Sequence, residues 1–230
     1  MLQPELFTRE KALPGIWHYS VIRKAVMAIS GVALVAFLFG HWGGNLVLLE
    51  GEVEFYVYLA WLQSNPLLHY GVWTIVAVAL ISHLVVGPDH WLRNRRARPV
   101  NYRKKRYQTT TLAARSMIVS GTVLVLFLVL HIGQVEGWFV FDDGGVYRNL
   151  QAGFEHWAVV SLYLLGQVAL AFHLYHGLWS MFQTLGINHP SYNHWRRPIA
   201  AVVGVGLAVL NITLILLNID FVQQLMDTVT

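Results

Sequence analysis

Long hydrophobic stretches alternate with short polar stretches along the whole chain. Five hydrophobic stretches have about 20 residues or more, which is the length of helix needed to cross the hydrocarbon layer of a bilayer. A transmembrane β-barrel would instead show alternating segments of about ten residues. The pattern therefore predicts an all-α integral membrane bundle of five helices. It forms a single domain over residues 1–230, with spans at about 26–49, 71–91, 112–134, 157–185 and 199–219.

Composition supports a membrane environment and narrows the chemistry. Charged residues make up 12% of the chain, against about 25% in a typical soluble domain. The chain contains no cysteine, which excludes disulfides, cysteine-ligated iron–sulfur clusters and covalent haem attachment through a CxxCH motif. The net charge is +4, but the basic residues lie beside the predicted spans, so nucleic acid is not an expected partner.

The charges between the spans predict the orientation. Lysine and arginine gather before the first span, between the second and third spans (residues 93–106), and between the fourth and fifth. The other two loops are acidic. Because loops rich in lysine and arginine face the cytoplasm, the N-terminus is predicted inside and the C-terminus outside the cell (inner) membrane. The polar N-terminal segment lacks the apolar core of a signal peptide, so none is expected.

Histidine recurs inside the hydrophobic stretches in a repeated pattern. The segment SGVALVAFLFGH (residues 30–41) matches SGTVLVLFLVLH (residues 120–131) at seven of twelve positions. VALISHLVVG (residues 78–87) matches VALAFHLYHG (residues 168–177) at six of ten. Both matches have an offset of 90 residues and no gap, and each preserves a histidine. Spans one and three run in one direction and spans two and four in the other, which indicates a parallel repeat of a two-helix unit.

The repeat pairs four histidines at two depths. It aligns His41 with His131, here called the outer pair, and His83 with His173, the inner pair. From the helical rise, the outer pair lies about 24–27 Å from the predicted inner edge and the inner pair about 15–20 Å. Two opposed imidazoles at one depth are what the axial positions of a haem iron require, at about 2 Å each. A zinc or copper site would need more ligands in each layer, and no thiolate or carboxylate accompanies these histidines.

Small residues near the histidines allow two interpretations. Gly40, Gly43 and Gly44 leave space for a flat macrocycle. Ser30 and Ser120 lie almost three helical turns before the outer histidines, on the same side, and are candidates to meet the edge of the inner haem. However, small residues also let membrane helices pack closely, and an intramembrane histidine can simply hydrogen-bond between helices. Both interpretations remain open from these residues alone.

Each of the first four spans carries one of the paired histidines, and the fifth span carries no histidine. This arrangement resembles a known family. Together with FHLYHGLWSMFQTLGI (residues 172–187), they resemble the five-helix, di-haem cytochrome b anchor (b558 type) of succinate dehydrogenases and fumarate reductases. GHWGGNLVLLEGEVEFYVYLAWL (residues 40–62) is similar to the stretch after the first haem ligand in that family. The resemblance extends over essentially the whole chain.

The resemblance implies the cofactors and partners. It implies two haem b groups, the outer one held by the first and third helices and the inner one by the second and fourth. It also implies a flavoprotein subunit with covalent FAD, an iron–sulfur subunit on the cytoplasmic face, and menaquinone. Some fumarate-reducing members carry a proton-transferring glutamate two residues before the ligand of the fourth span. Here Ala171 occupies that position, which favours succinate oxidation.

Four further polar residues are candidates for binding roles. His176, one turn after His173, and Arg115, at the start of the third span, are placed to bond haem propionates, and His176 also a quinone carbonyl. Glu50 and Glu52 in the outer acidic loop are candidates to pass protons to an outer quinone site. Alternatively, Arg115 is a snorkelling anchor and the glutamates belong to a solvated loop.

The sequence therefore predicts an electron-transfer subunit without a dehydrogenase site of its own. Electrons would pass from an iron–sulfur subunit through two haems to menaquinone. Two alternatives remain: the cytochrome b anchor of a formate dehydrogenase or hydrogenase, and a haem-free transporter that uses intramembrane histidines as a proton relay.

Overall fold

Helices dominate the computed structural model, which describes residues 20–97 and 111–218. These residues form eight α-helices and no strand, which confirms the all-α prediction. The long helices are α1 (Ser20–Asn45), α3 (Val72–Arg96), α5 (Met117–Val135), α7 (Trp157–Thr184) and α8 (Arg196–Leu217). The short helices are α2 (Glu52–Ser64), α4 (Leu112–Arg115) and α6 (Val146–Phe154).

Within the part of the chain that the structure describes, five segments have the length and hydropathy to cross a membrane, as predicted. They are Ser20–Leu49, Leu67–Arg96, Met117–Val135, Trp157–Thr184 and Asn193–Leu217. The first, second and fifth begin earlier than the hydrophobic pattern indicates (20 against 26, 67 against 71, 193 against 199), because the backbone stays helical beyond the apolar residues. The predicted end of the fifth span at residue 219 lies outside the described residues.

The third span begins later than the pattern indicates, because the helix is interrupted at Ser116. The Thr111 side chain caps α4 by accepting a hydrogen bond from the amide of Ala114 (3.1 Å). Ser116 leaves helical geometry (φ −91°, ψ 4°), and its hydroxyl donates to the Ala113 carbonyl (3.2 Å). A new helix, α5, then starts at Met117.

The long helices pack in a way that follows the repeat. α1 contacts α3, α5 contacts α7, and α7 also contacts α1. α8 lies outside the repeat and packs mainly against α7. One buried apolar cluster centres on Phe154 and Tyr163 and another on Leu170, Leu174 and Leu207. Large apolar side chains elsewhere on the long helices are exposed, as expected of helices whose outer faces contact lipid.

The contact between α7 and α8 depends on one glycine and one polar pair. A Cβ atom added at Gly204 would lie 3.0 Å from the backbone nitrogen of Tyr175 and 3.1 Å from the carbonyl oxygen of Ala171. Asn211 Nδ2 donates to Gln167 Oε1 (3.0 Å). Close backbone approach and interhelical hydrogen bonds are the usual basis of helix association in membranes. Ala171 therefore lies against the backbone of α8.

Two short helices occupy the acidic loops, where the hydrophobic pattern predicted no helix. α6 is anchored by Asn149, which is buried and whose side-chain nitrogen donates to the carbonyls of Gln134 and Phe139 (both 2.8 Å). α6 is joined to α2 by an ion pair between Arg148 and Glu52 (3.1 Å). α2 and α6 therefore cover the end of the bundle that carries the outer histidines.

The opposite end of the bundle carries basic residues. Asp89 near the end of α3 lies between Arg93 (2.8 Å) and the buried Arg23 at the start of α1 (3.6 Å). The N-terminal segment, most of the basic segment 93–106 and the acidic C-terminus lie outside the described residues. The orientation across the membrane stays a prediction from the sequence.

Candidate functional site

The structure brings the four repeated histidines together as two pairs. The ring centroids of His41 and His131 lie 5.5 Å apart with their planes at 74°. Those of His83 and His173 lie 6.0 Å apart with their planes at 56°. Two imidazoles that bind one iron from opposite sides, at about 2 Å per bond, have centroids about 6 Å apart. Both pairs have a spacing close to that of bis-histidine ligation.

A serine from the neighbouring helix contacts each inner histidine. Ser30 Oγ lies 3.2 Å from His83 Nδ1, and Ser120 Oγ lies 3.2 Å from His173 Nδ1. Each serine donates its single proton to the carbonyl three residues earlier in its own helix (3.1 and 3.2 Å). The serine oxygen can then accept a hydrogen bond from Nδ1–H. In that arrangement Nε2 is available to bind a metal.

The serines also give the distance along α1 between the two histidine pairs. The sequence predicts Ser30 and Ser120 at the edge of the inner haem, and this stays a prediction; the structure places both against the ring nitrogens of the inner histidines. Both serines are buried. Ser30 lies eleven residues before His41, or about 16 Å along the helix axis. The two histidine pairs are therefore separated by roughly this distance along α1.

Further contacts around the histidines repeat with the same offset. Phe37 and Phe127 stack on the outer histidine of their own helix, with ring centroids 5.3 and 5.6 Å away. A Cβ atom added at Gly31 or Gly121 would lie 3.5 Å from Cε1 of the neighbouring inner histidine. The 90-residue repeat of the sequence is thus a repeat of contacts as well.

The glycines expected to make space for a macrocycle differ from one another. A Cβ atom added at Gly40 or Gly43 meets nothing within 4 Å. At Gly44 it would meet the hydroxyl of Tyr58 at 2.6 Å. Gly40 and Gly43 therefore border open space, and Gly44 instead allows close packing of α2 against α1.

His131, one of the two outer histidines, has polar neighbours that were not among the predicted site residues. The Tyr163 hydroxyl oxygen lies 3.1 Å from His131 Nδ1 and 2.8 Å from Gln134 Oε1. Gln134 is fully buried. Its position three residues after His131, in an otherwise apolar run, was the available sequence signal, because a polar residue inside a span usually faces a partner. Tyr163 gave no signal, since tyrosine is common in membrane helices near the interface.

The candidates on the inner side are less closely tied to the paired histidines. His176 is half-buried beside Trp179 (ring centroids 5.9 Å apart), and its Nδ1 is buried without a hydrogen-bond partner in the described part of the chain. Arg115 is exposed at the end of α4, five residues before Ser120. A buried ring nitrogen without a partner suits a haem propionate or a quinone carbonyl.

The two candidate glutamates, Glu50 and Glu52, have different surroundings in the structure. An open cavity of about 550 Å³ at the outer end is lined by Val47, Glu50, Glu54, Val57, Tyr58 and Trp61. Its volume lies in the range of about 300–1,000 Å³ that is usual for small-molecule sites. Glu52 does not line this cavity and forms the ion pair with Arg148 instead. The structure thus places Glu50 at this cavity but ties Glu52 to α6.

The donor set suits haem better than a bare metal ion. Each level supplies two histidines, and residues 20–97 and 111–218 contain no group of three or more histidine, cysteine or acidic residues arranged for a metal. Zinc and copper sites usually take three or four protein ligands. A haem iron needs only two, since the macrocycle supplies four. The free Nε2 positions and the ring spacing fit haem.

The described residues contain five helices long and apolar enough to cross a membrane, as in a multi-pass helical membrane protein. The family described as succinate dehydrogenase/fumarate reductase transmembrane subunit matches residues 94–213, just over half of the chain. The chain therefore belongs to this family and is a membrane subunit of that type of complex. Searches of curated proteins and of solved structures gave no significant match.

The matched region contains the second copy of the repeat, with His131 and His173. The first copy, with His41 and His83, precedes the match and is linked to it by the 90-residue offset. Subunits of this family generally bind haem and quinone and anchor the complex in the membrane.

Proposed function

We propose that this chain is the cytochrome b membrane anchor of a succinate:menaquinone oxidoreductase. His41 and His131 hold one haem b, and His83 and His173 hold the other. When bound, the two haems supply one-electron carriers between an iron–sulfur subunit and the quinone. The observation that carries this proposal is the occurrence of two histidine pairs, each at ligation spacing.

The residues of the chain position the cofactors and handle protons. Ser30 and Ser120 hold the inner histidines in the tautomer that ligates through Nε2. The outer cavity takes the quinone headgroup, and Glu50 and Glu54 on its wall deliver protons from the outer side. His176 bonds a propionate or a quinone carbonyl through its buried Nδ1.

The partners follow from the family and from the charge distribution. The iron–sulfur subunit, which carries the FAD flavoprotein with it, docks on the cytoplasmic face of the inner membrane. That face holds the basic end of the bundle, where Arg23 and Arg93 flank Asp89. Membership of the succinate dehydrogenase/fumarate reductase family favours these partners over those of a formate dehydrogenase or hydrogenase.

A haem count tests the proposal. We expect a pyridine haemochrome assay on the purified complex to find two haem b per copy of this chain. One haem or none would contradict the proposal, and none at all would favour the transporter alternative. Identification of the co-purifying subunits tests the succinate dehydrogenase assignment independently.

Single substitutions test the pairing of the ligands. His41→Ala and His131→Ala should remove the same spectral component, and His83→Ala and His173→Ala the other. His69→Ala, a half-buried histidine without a partner in the repeat, should retain both components. If His41→Ala and His83→Ala removed the same component, the assignment of the two levels would be wrong.

A further inference from the structure

The outer histidine pair breaks the symmetry of the repeat. The 90-residue offset preserves the ligands, the serines, the adjacent glycines and the stacked phenylalanines. It does not preserve the neighbours of His131: the position equivalent to Tyr163 is Trp73, and the position equivalent to Gln134 is Gly44. An indole N–H can only donate a hydrogen bond, and glycine has no side chain. The polar contact on His131 therefore has no counterpart from these positions on His41.

The hydrogen bonds around Tyr163 run in one direction. The tyrosine hydroxyl has a single proton, which it donates to Gln134 Oε1 (2.8 Å). Its oxygen is thus left to accept from His131 Nδ1–H (3.1 Å). The resulting chain runs from histidine to tyrosine to glutamine, and it leaves His131 Nε2 free. This direction is the one required of a metal-ligating histidine.

Aromatic rings and α6 enclose this chain of hydrogen bonds. Tyr163 is buried and packs edge-on against the rings of Phe127 and Phe154 (centroids 5.1 Å away in both cases). Gln134 is buried beneath α6, where Asn149 donates to its backbone carbonyl (2.8 Å). The tyrosine therefore connects the outer ligand on α5 with α7 and with the covering helix α6.

We infer that Tyr163, with Gln134, is a positioning pair that orients His131 and makes the two axial ligands of the outer haem unequal. The inference rests on the proposed function, because it assumes that His131 ligates a haem iron. A hydrogen-bond acceptor on Nδ1–H raises the basicity of the ligating nitrogen, which stabilises the oxidised iron and lowers the midpoint potential of that haem. The tyrosine contact also fixes the plane of the His131 ring.

The test is redox titration of the intact complex carrying Tyr163→Phe. We expect the midpoint potential of the outer haem to rise while that of the inner haem stays unchanged. The haem lost in His41→Ala identifies the outer component. The electron paramagnetic resonance signal of the oxidised outer haem should also shift, because it depends on the angle between the two imidazole planes. Gln134→Met should raise the same potential by a smaller amount, since the tyrosine loses its acceptor.

Tyr175→Phe is the matched control, because it removes a tyrosine hydroxyl from the same helix outside these hydrogen bonds. It should leave both potentials unchanged. An unaltered outer haem in both Tyr163→Phe and Gln134→Met, or equal shifts of both haems, would overturn the inference. Fewer than two haems in the unsubstituted complex would instead overturn the proposed function, so the two failures are distinguishable.

Discussion

At the scale of single residues, the inner site depends on two serines whose hydrogen bonds are determined by their own helices. Each hydroxyl donates to a backbone carbonyl of its own helix, which leaves its oxygen able to accept from the histidine. Partners of this kind tune metal sites nearly as much as the ligands themselves. The equal 3.2 Å distances on Ser30 and Ser120 indicate that the two inner histidines are held alike.

Ser30→Ala and Ser120→Ala should each raise the midpoint potential of the inner haem. We expect a rise of up to about 60 mV, because a hydrogen bond contributes about 0.5–1.5 kcal/mol and a one-electron couple shifts about 59 mV per 1.4 kcal/mol. Ser116→Ala is the control, since that hydroxyl donates to the Ala113 carbonyl. A redox titration in which both serine variants behave like Ser116→Ala would rule out this role.

At the scale of helices, α8 is the element outside the repeat, and it is held by backbone proximity to α7. In a bilayer no hydrophobic effect drives two helices together, so close packing and hydrogen bonds must do so. Gly204 permits the approach, and the Asn211–Gln167 hydrogen bond fixes the register. The same approach places Ala171 at the α7–α8 contact.

Gly204→Ala should destabilise the bundle by about 1–3 kcal/mol, the usual cost of overpacking. The added methyl group would lie about 3 Å from backbone atoms of α7, which cannot move aside as a flexible side chain can. Thermal unfolding of the detergent-solubilised complex measures the effect. Gly206→Ala is the matched control, because an added Cβ there meets nothing within 4 Å. Equal melting temperatures for the two variants would contradict the described packing.

At the scale of the whole molecule, the two histidine pairs lie at different depths of the bundle, and the proposed function makes them a path for electrons across the membrane. Their separation of about 16 Å along α1 covers roughly half of a hydrocarbon layer about 30 Å thick. The cavity with Glu50 and Glu54 lies at the outer end. In the proposed function, a quinone reduced there would take its protons from the outside, so each turnover would move charge across the membrane.

Succinate oxidation by menaquinone should therefore be driven partly by the membrane potential. Menaquinone is a poor oxidant for succinate, and one charge moved across 100 mV contributes about 2.3 kcal/mol. Ala171 provides no acidic side chain for a compensating proton path through α7. In proteoliposomes with the dehydrogenase subunits inside and an inside-negative potential, an uncoupler should slow the reaction. The detergent-solubilised complex, which has no potential, should not respond. An unchanged rate in sealed vesicles would exclude an outer reduction site.

Consecutive residues were enough to predict the spans and the histidine pairs. The length of each hydrophobic run is a property of consecutive residues, and so is the 90-residue offset that relates the four histidines. Whether a residue lies in a span therefore needs no knowledge of its neighbours in space. The helices α2 and α6 were not predicted, because their segments of the sequence are polar or mix polar and apolar residues. They are stabilised by contacts at the end of the bundle, such as the Arg148–Glu52 ion pair.

Which atoms meet depends on how the helices pack against one another. Ser30 contacts a ring nitrogen on another helix 53 residues away, and Glu52 pairs with Arg148 rather than facing the cavity that Glu50 lines. Tyr163 reaches His131 because α5 and α7 pack together and present these two faces to each other. Helical periodicity fixes the faces of one helix, but the rotation and depth of each helix against its neighbours follow from packing at close contacts such as Gly204. That packing involves residues far apart in the chain, so the hydrophobic pattern alone does not encode it.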